Sequence, residues 1–113
     1  MSDCVFCRIA RGEIPARLVH EDDDLVAFHD LAPQAPVHVL LVPRRHLASL
    51  AECHEEEALL VGRLAIVAAE LARRLGLASG YRLVANTGED GGQSVAHLHF
   101  HLLGGRKLAW PPG

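Results

Sequence analysis

The sequence lacks features that mark several large classes of proteins. It has three cysteines, an odd number and too few for the disulfide framework of a small secreted domain. No apolar run approaches the roughly 18 residues of a membrane-spanning helix. The first residues also lack the charged and apolar segments of a signal peptide. We therefore expect a cytoplasmic protein with no membrane contact.

Positive charge is also scarce. Eleven Lys and Arg residues stand against 14 Asp and Glu residues, which gives a formal net charge of -3. No basic cluster is longer than a pair such as Arg44-Arg45. Proteins that bind nucleic acid by neutralising phosphates need more basic surface than this. We expect no nucleic-acid partner and a small anion as the ligand.

Repeats, low-complexity runs and linkers are absent, and 113 residues suffice for one core. We expect a single domain over residues 1–113. Apolar residues recur every three or four positions over Glu55–Leu75, with acidic residues first, basic residues last and Gly76 after them, which predicts a long helix. Five segments are predicted strands: Arg17–His20, Leu25–His29, Val37–Val42, Tyr81–Ala85 and His97–Leu103. The fold class is α+β, with an antiparallel sheet and a helix across one face.

The last of these strands carries three histidines, His97, His99 and His101, which alternate with apolar residues. The period of a strand places all three imidazoles on one face. Imidazole suits metal ligation and acid–base or nucleophilic catalysis. Alternate residues of a strand lie roughly 6.5 to 7 Å apart, so the outer two histidines, about 13 Å apart, do not share one metal. The three together are therefore not one zinc site.

A glycine-rich loop, Asn86–Ser94, comes just before the histidines. Backbone N–H groups in such loops bind anions, and the Ser94 hydroxyl adds a donor. Alone, the loop is equally typical of a simple turn. Beside the histidines it favours phosphoryl or nucleotidyl transfer through a covalent phosphohistidine.

Two cysteines, Cys4 and Cys7, have the spacing of half a zinc site. The same spacing suits two small, partly buried residues near the start of the chain, and the residues alone leave both alternatives open. A redox pair is disfavoured because no strand precedes them.

The run Gly92–Ala96 followed by the three histidines resembles the signature of the histidine triad (HIT) superfamily of nucleotide hydrolases and transferases. The likeness covers nearly the whole chain and is greatest to the Hint branch, the purine nucleoside phosphoramidases. It rests on these further segments: Phe28-His29-Asp30, Pro33–Pro36, Leu41-Val42-Pro43, Leu103–Arg106 and Trp110–Gly113. The resemblance implies a HIT-like fold with a five-stranded antiparallel sheet, one long helix, a short N-terminal helix and a homodimer.

The resemblance also implies an activity, hydrolysis of the P–N bond of purine nucleoside phosphoramidates such as adenosine 5′-phosphoramidate and lysyl-AMP-like adducts. His99 would be the nucleophile, Ser94 and His101 would bind phosphate oxygens, and His97, if it is not a zinc ligand, would help to hold the triad in register. The implied purine-nucleotide site comprises Ile9, Ile14, Phe28, His29, Asp30, Leu31, Asn86, Gly92, Gln93, Ser94, His99 and His101.

Many bacterial HIT proteins hold a structural zinc ion, and by resemblance its ligands here would be Cys4, Cys7, His46 and His97. Four protein ligands leave no position for a catalytic water, so we expect no cofactor in catalysis. Ala96 and Ala109 depart from the animal Hint pattern, which has tyrosine and often histidine there. These changes remove bulk near the site and bear on the choice of leaving group.

Three other functions remain open. One is hydrolysis of dinucleoside polyphosphates, which the Trp110–Gly113 end disfavours. Another is a purine-nucleotide-binding interaction module with little catalysis, against which the intact nucleophile argues. The least favoured is a zinc carrier that binds metal reversibly at the triad.

Overall fold

The computed structural model describes residues 4–113, which form two helices and one five-stranded sheet. The elements follow the chain in this order: α1 Val5–Ala10, β1 Leu18–Glu21, β2 Leu25–His29, β3 Val37–Pro43, short 3₁₀ turns at Leu50–Glu52 and Glu55–Glu57, α2 Ala58–Arg74, β4 Tyr81–Ala85 and β5 Phe100–Gly104. The strand order is β1-β2-β3-β5-β4, and all neighbours are antiparallel. The predicted α+β fold is confirmed. Neither helix in residues 4–113 has the length and hydropathy to cross a bilayer.

The long helix ends where its sequence predicts. Gly76, just beyond α2, has a φ of 79°, a left-handed conformation that glycine adopts without steric cost. The Leu77 N–H then donates to the Ala72 carbonyl at 2.9 Å and closes the last turn. At the other end, the first predicted turn is 3₁₀ rather than α-helical.

The two helices cover opposite faces of the sheet. The core on the α2 face includes Leu25, Ala27, Val39, Leu41, Leu64, Val67, Leu71, Leu98, Phe100 and Leu102. The core on the α1 face consists of Phe6, Ala10, Val26, Phe28, Leu40 and Val42. Because both faces are covered, the central strands β2 and β3 are apolar on both sides and do not alternate with polar residues.

β5 starts three residues later than the predicted strand His97–Leu103. Its ladder with β3 pairs Phe100 with Leu41 and goes no further towards the N-terminus. The next positions of β3 lead to Pro43, which has no N–H to donate to a ladder. The Leu98 N–H bonds instead to the Leu47 carbonyl, outside the sheet. The first two histidines of the triad therefore lie in an irregular segment that leads into the strand, with His97 in a bend.

Candidate functional site

A cavity of about 310 Å³ lies on the α1 face of the sheet. The lining residues are Val5, Phe6, Ile9, Ile14, Pro15, Ala16, Arg17, Phe28, His29, Asp30, Leu31, Leu40, Ser94, Val95, His99 and His101. Nine of the twelve residues expected in a nucleotide site line this cavity. The other three, Asn86, Gly92 and Gln93, belong to the glycine-rich loop and lie outside the lining. The cavity has a mainly apolar wall, with a hydroxyl, a carboxylate, three imidazoles and the Arg17 side chain as its polar groups.

The alternation of the triad segment survives although only His101 belongs to the strand. The apolar residues between the histidines, Leu98 and Phe100, pack into the core under α2. The histidines face the other way, and the Phe6 ring of α1 meets His97 and His99 edge to face, with ring centroids 5.9 and 5.1 Å away. The expectation of one shared face is correct, although the segment bonds differently from a strand.

The hydrogen bond of His99 determines which of its ring nitrogens is free. Its Nδ1 lies 2.7 Å from the backbone carbonyl of His97. A carbonyl only accepts, so Nδ1–H is the donor and the neutral ring keeps its lone pair on Nε2. The ring is 4 % exposed. His99 is therefore held rigidly with one unprotonated nitrogen, as a nucleophile requires.

The same reasoning extends through two further rings. The backbone N–H of Gln34 donates to His38 Nδ1 at 3.0 Å, so the proton of neutral His38 is on Nε2. His38 Nε2 lies 2.9 Å from His101 Nδ1 and donates to it. The proton of His101 is then on its own Nε2. His101 is a hydrogen-bond donor next to the lone pair of His99, with ring centroids 5.0 Å apart.

Burial keeps these two imidazoles neutral. Desolvation, together with the neighbouring His99 and His38, lowers the pKa of His101 to about 4, against the opposing effect of Asp30. Burial also lowers the pKa of His38, against the opposing effect of the Asp30 carboxylate. At neutral pH both rings are uncharged, so the hydrogen-bond chain from Gln34 keeps its direction.

His38 is a site residue that the expected catalytic and nucleotide-binding residues did not include. It is buried, 5 % exposed, and its ring bonds directly to the triad. The one available signal was that it is the only polar side chain in the apolar strand Val37–Val42.

Asp30 follows β2 at the edge of the cavity. One carboxylate oxygen accepts the Ala32 N–H at 2.8 Å and so fixes a turn. The other lies 3.5 Å from His38 Nε2. Asp30 therefore caps a turn, and its carboxylate also lines the cavity.

The glycine-rich loop is braced by its own side chains. Asn86 donates to the Gly91 carbonyl at 2.6 Å. Gln93 donates to the Ala48 and Val95 carbonyls at 2.7 and 2.9 Å and accepts an N–H from within the loop. A Cβ at position 91 would collide with the backbone of Thr87, so only glycine fits. The structure thus assigns Asn86 and Gln93 to loop shape, and their contact with a nucleotide stays a prediction.

Four metal-ligand side chains meet where α1 approaches the triad: Cys4, Cys7, His46 and His97. His97 Nδ1 is 3.2 Å from Cys4 Sγ, 3.5 Å from Cys7 Sγ and 3.1 Å from His46 Nδ1. His46 Nδ1 is also 3.2 Å from Cys7 Sγ. Ligands at zinc distances on a tetrahedron are separated by roughly 3.3 to 3.8 Å. These four donors have the chemistry and the spacing of one tetrahedral metal site.

The tautomer of His97 fits the same site. Its Nε2 lies 2.9 Å from the Pro43 carbonyl, which can only accept, so Nδ1 carries the lone pair that faces the two sulfurs. A ligating histidine commonly donates its second N–H to a carbonyl in this way. The ring is fully buried, at 0 % exposure. His97 is absent from the lining of the cavity that contains His99 and His101.

Comparison with known proteins identifies the family. The HIT domain model matches residues 11–108. The chain belongs to the HIT domain family. An uncharacterized HIT-like protein of Synechococcus elongatus is 54% identical to this HIT protein over 111 residues, 98% of this chain and 97% of that one.

Solved structures of HIT proteins share the fold. A HIT family hydrolase from Legionella pneumophila Philadelphia 1 is 49% identical, with a TM-score of 0.96 over 97% of this chain and 99% of that one. A Zn-bound histidine triad family protein from Mycobacterium smegmatis is 30% identical, with a TM-score of 0.83 over 96% of this chain and 81% of that one.

Proposed function

We propose that this HIT protein hydrolyses the P–N bond of purine nucleoside phosphoramidates through a covalent nucleotidyl-His99 intermediate. The observation that carries this proposal is the fixed tautomer of His99. Its Nδ1–H is bound to a carbonyl at 2.7 Å, and its Nε2 lone pair is the nucleophile. Ser94 and His101 line the same cavity and supply neutral donors for phosphate oxygens.

The reaction has two steps. His99 Nε2 attacks the α-phosphorus, a P–N(His) bond forms, and the P–N bond to the leaving amine breaks. The bonding pair stays on the amine nitrogen, which takes up a proton from water. A water molecule then adds to phosphorus, loses a proton to solvent and releases the nucleoside monophosphate, and the electron pair returns to His99. The His101 Nε2–H stabilises the charge that develops on the phosphate oxygens in both steps.

The rest of the cavity suits the nucleoside. Asp30 is the acceptor for the ribose hydroxyls, and its position is fixed by the Ala32 N–H. The apolar wall that holds the purine consists of Ile9, Ile14, Phe28 and Leu31, next to His29. Leu31 is 96% exposed, as expected for a residue that covers one face of a base only when a ligand is bound.

We also propose that Cys4, Cys7, His46 and His97 bind one structural zinc ion. Four of the six distances between the donor atoms are 3.1 to 3.5 Å, which supports this proposal, as does the buried N–H donation from His97 to Pro43. Bound zinc would fix the start of α1 against the triad segment. With four protein ligands it would have no open position, so catalysis needs no cofactor.

A cytoplasmic homodimer completes the proposal. β4 is an edge strand of the sheet and leaves one side of its backbone unpaired within this sheet. Large apolar side chains are exposed on α2 and on this strand, with Ile66 at 60 % and Tyr81 at 45 % exposure. A second copy added at this edge would cover both features. Light scattering of the wild type and of Ile66→Glu tests it, with a dimer expected only for the wild type.

The activity is tested by steady-state hydrolysis of an adenosine 5′-phosphoramidate carrying a fluorescent amine. We expect turnover by the wild type and a loss of about 10⁴-fold or more in His99→Ala, because the variant has no nucleophile. Turnover of dinucleoside polyphosphates alone would move the protein to that class of hydrolase. Nucleotide binding without any turnover would make it a binding module.

A further inference from the structure

The turn between β2 and β3 carries two groups of the site. Asp30, the proposed ribose acceptor, stands at its start, and the Gln34 N–H, which fixes the tautomer of His38, stands near its end. Residues 31–36 lie outside the two strands. Contacts other than ladder hydrogen bonds must therefore hold this part of the chain in position.

The start of the turn is anchored to the sheet. The Asp30 N–H donates to the His38 carbonyl at 2.9 Å, next to the ladder of β2 and β3, and the Asp30 carboxylate accepts the Ala32 N–H at 2.8 Å. The Gln34 side chain donates back to the Ala32 carbonyl at 2.9 Å. This last bond lies within the turn, so it shapes the turn but does not fix Gln34 relative to the sheet.

Arg106, two residues beyond β5, holds the end of the turn. Its Nη2 donates to the Gln34 carbonyl at 3.0 Å, and its Nη1 donates to the Lys107 carbonyl at 3.2 Å. The planar guanidinium thus joins the turn to the segment that follows β5. Gly105 allows this approach, because a Cβ there would lie 2.8 Å from the Pro36 Cβ.

The contact of Arg106 continues into the triad. The carbonyl that Arg106 holds and the N–H that bonds His38 Nδ1 at 3.0 Å belong to the same residue, Gln34. His38 Nε2 then donates to His101 Nδ1 at 2.9 Å. Arg106 does not line the nucleotide cavity, and three hydrogen bonds in series connect it to the ring of His101.

We propose that Arg106 is a positioning residue for the proposed hydrolysis. By holding Gln34 it keeps the Gln34 N–H on His38 Nδ1, and this bond keeps the proton of His101 on Nε2, where it stabilises the phosphate oxygens. The effect on rate rests on the proposed function, whereas the effect on the ring proton does not. Arg106 acts only through Gln34 and His38.

Arg106→Ala tests the effect on rate, in steady-state hydrolysis of the adenosine 5′-phosphoramidate with a fluorescent amine. We expect kcat to fall about three- to tenfold, since one exposed hydrogen bond to a neutral carbonyl is lost. KM should stay close to that of the wild type, because Asp30 keeps its own bonds. Arg106→Lys still offers a donor and should recover part of kcat. Lys107→Ala removes the same charge one position further along and should leave both constants unchanged.

The double variant Arg106→Ala/His38→Phe distinguishes this route from a general loosening of the turn. His38→Phe already interrupts the series of hydrogen bonds, so Arg106→Ala should cause no further loss of kcat in that background. A purely structural contribution of Arg106 would give the same fold loss in both backgrounds.

A second measurement does not depend on activity. Nitrogen-15 NMR of the imidazole rings shows which ring nitrogen carries the proton, and amide hydrogen exchange shows how well the Gln34 N–H is protected. In Arg106→Ala we expect faster exchange at Gln34 and a His101 ring that is no longer protonated on Nε2 alone. Lys107→Ala should match the wild type in both.

Three results would overturn the proposal: a wild-type kcat in Arg106→Ala, the same fold loss with and without His38, or an unchanged tautomer of His101. If the wild type hydrolyses no phosphoramidate, the proposed function fails separately. The NMR comparison then decides by itself whether Arg106 holds the ring proton in place.

Discussion

The first two histidines of the triad have the same side chain in opposite tautomers. His97 donates from Nε2 to the Pro43 carbonyl, so its Nδ1 faces the sulfurs of Cys4 and Cys7. His99 donates from Nδ1 to the His97 carbonyl, so its Nε2 keeps the lone pair. In both rings a backbone carbonyl selects the nitrogen that is free. The comparison shows how one short segment can provide a metal ligand and a nucleophile two residues apart.

The largest effect is expected at the metal end, in Cys7→Ser. Cys7 Sγ, His46 Nδ1 and His97 Nδ1 lie 3.1 to 3.5 Å from one another, and removal of one of the four ligands should reduce zinc from about one per chain to almost none. Because α1 then loses its tie to the triad segment, Tm should fall by several degrees. Metal analysis and a thermal melt of untagged protein measure both.

Cys53→Ser is the matched control for that variant. Cys53 is a half-buried thiol outside the four-ligand group. The zinc content and the Tm of Cys53→Ser should therefore remain close to those of the wild type. If the purified wild-type protein contains no zinc, and its Tm does not change when zinc is added, His97 is not a zinc ligand.

A second, smaller effect is expected at the catalytic end, in His38→Phe. The phenyl ring fills the place of the imidazole, but it can neither accept the Gln34 N–H nor donate to His101 Nδ1. The tautomer of His101 is then no longer fixed. We expect kcat to fall about 10- to 100-fold, the range typical of residues that orient an active group, with zinc content unchanged.

The control is His38→Gln, which can accept at one atom and donate at another. A partial recovery of kcat would show that His38 acts through hydrogen bonding. Equal rates for the phenylalanine and glutamine variants would instead show a packing role only.

The smallest effect concerns pH. His101 titrates near its ordinary pKa of about 6.5 when unfolded but at about 4 when folded, where it faces His38, His99 and Asp30. Between these values the unfolded chain binds more protons, so the free energy of unfolding falls as pH decreases, by at most about 1.4 kcal/mol per pH unit for one group.

Urea unfolding of the wild type and of His101→Asn between pH 7 and pH 4 measures this contribution. The variant has lost the titrating ring, and its stability should therefore decline less steeply with acid. Parallel slopes for the two proteins would mean that His101 is not desolvated in the folded state.

The sequence predicted the structure best where one local pattern determines one structural feature. The period of the triad segment gave the correct face for all three histidines, and Gly76 marked the end of α2. It failed at the start of β5, because that boundary depends on Pro43 in another strand, which has no N–H to extend the ladder. The tautomer of His97 lay beyond reach for the same reason, since the carbonyl of Pro43, 54 positions away in the chain, determines it.

The metal group and His38 show the same limit at the site. The spacing of Cys4 and Cys7 left two alternatives, and only the fold brings His46 and His97 within 3.5 Å of the Cys7 sulfur. His38 could not be assigned because its partner His101 is 63 positions away in the chain. Long-range contacts of this kind leave no local signal.

We propose that the triad is divided between a zinc site at His97 and a catalytic nucleophile at His99. Zinc content and turnover, measured on the same preparations of His97→Ala and His99→Ala, test this division. We expect His99→Ala to keep one zinc per chain and to lose turnover. His97→Ala should lose zinc but retain measurable turnover, because the His97 carbonyl that orients His99 belongs to the backbone and remains. Zinc retained in His97→Ala, or lost in His99→Ala, would contradict the division.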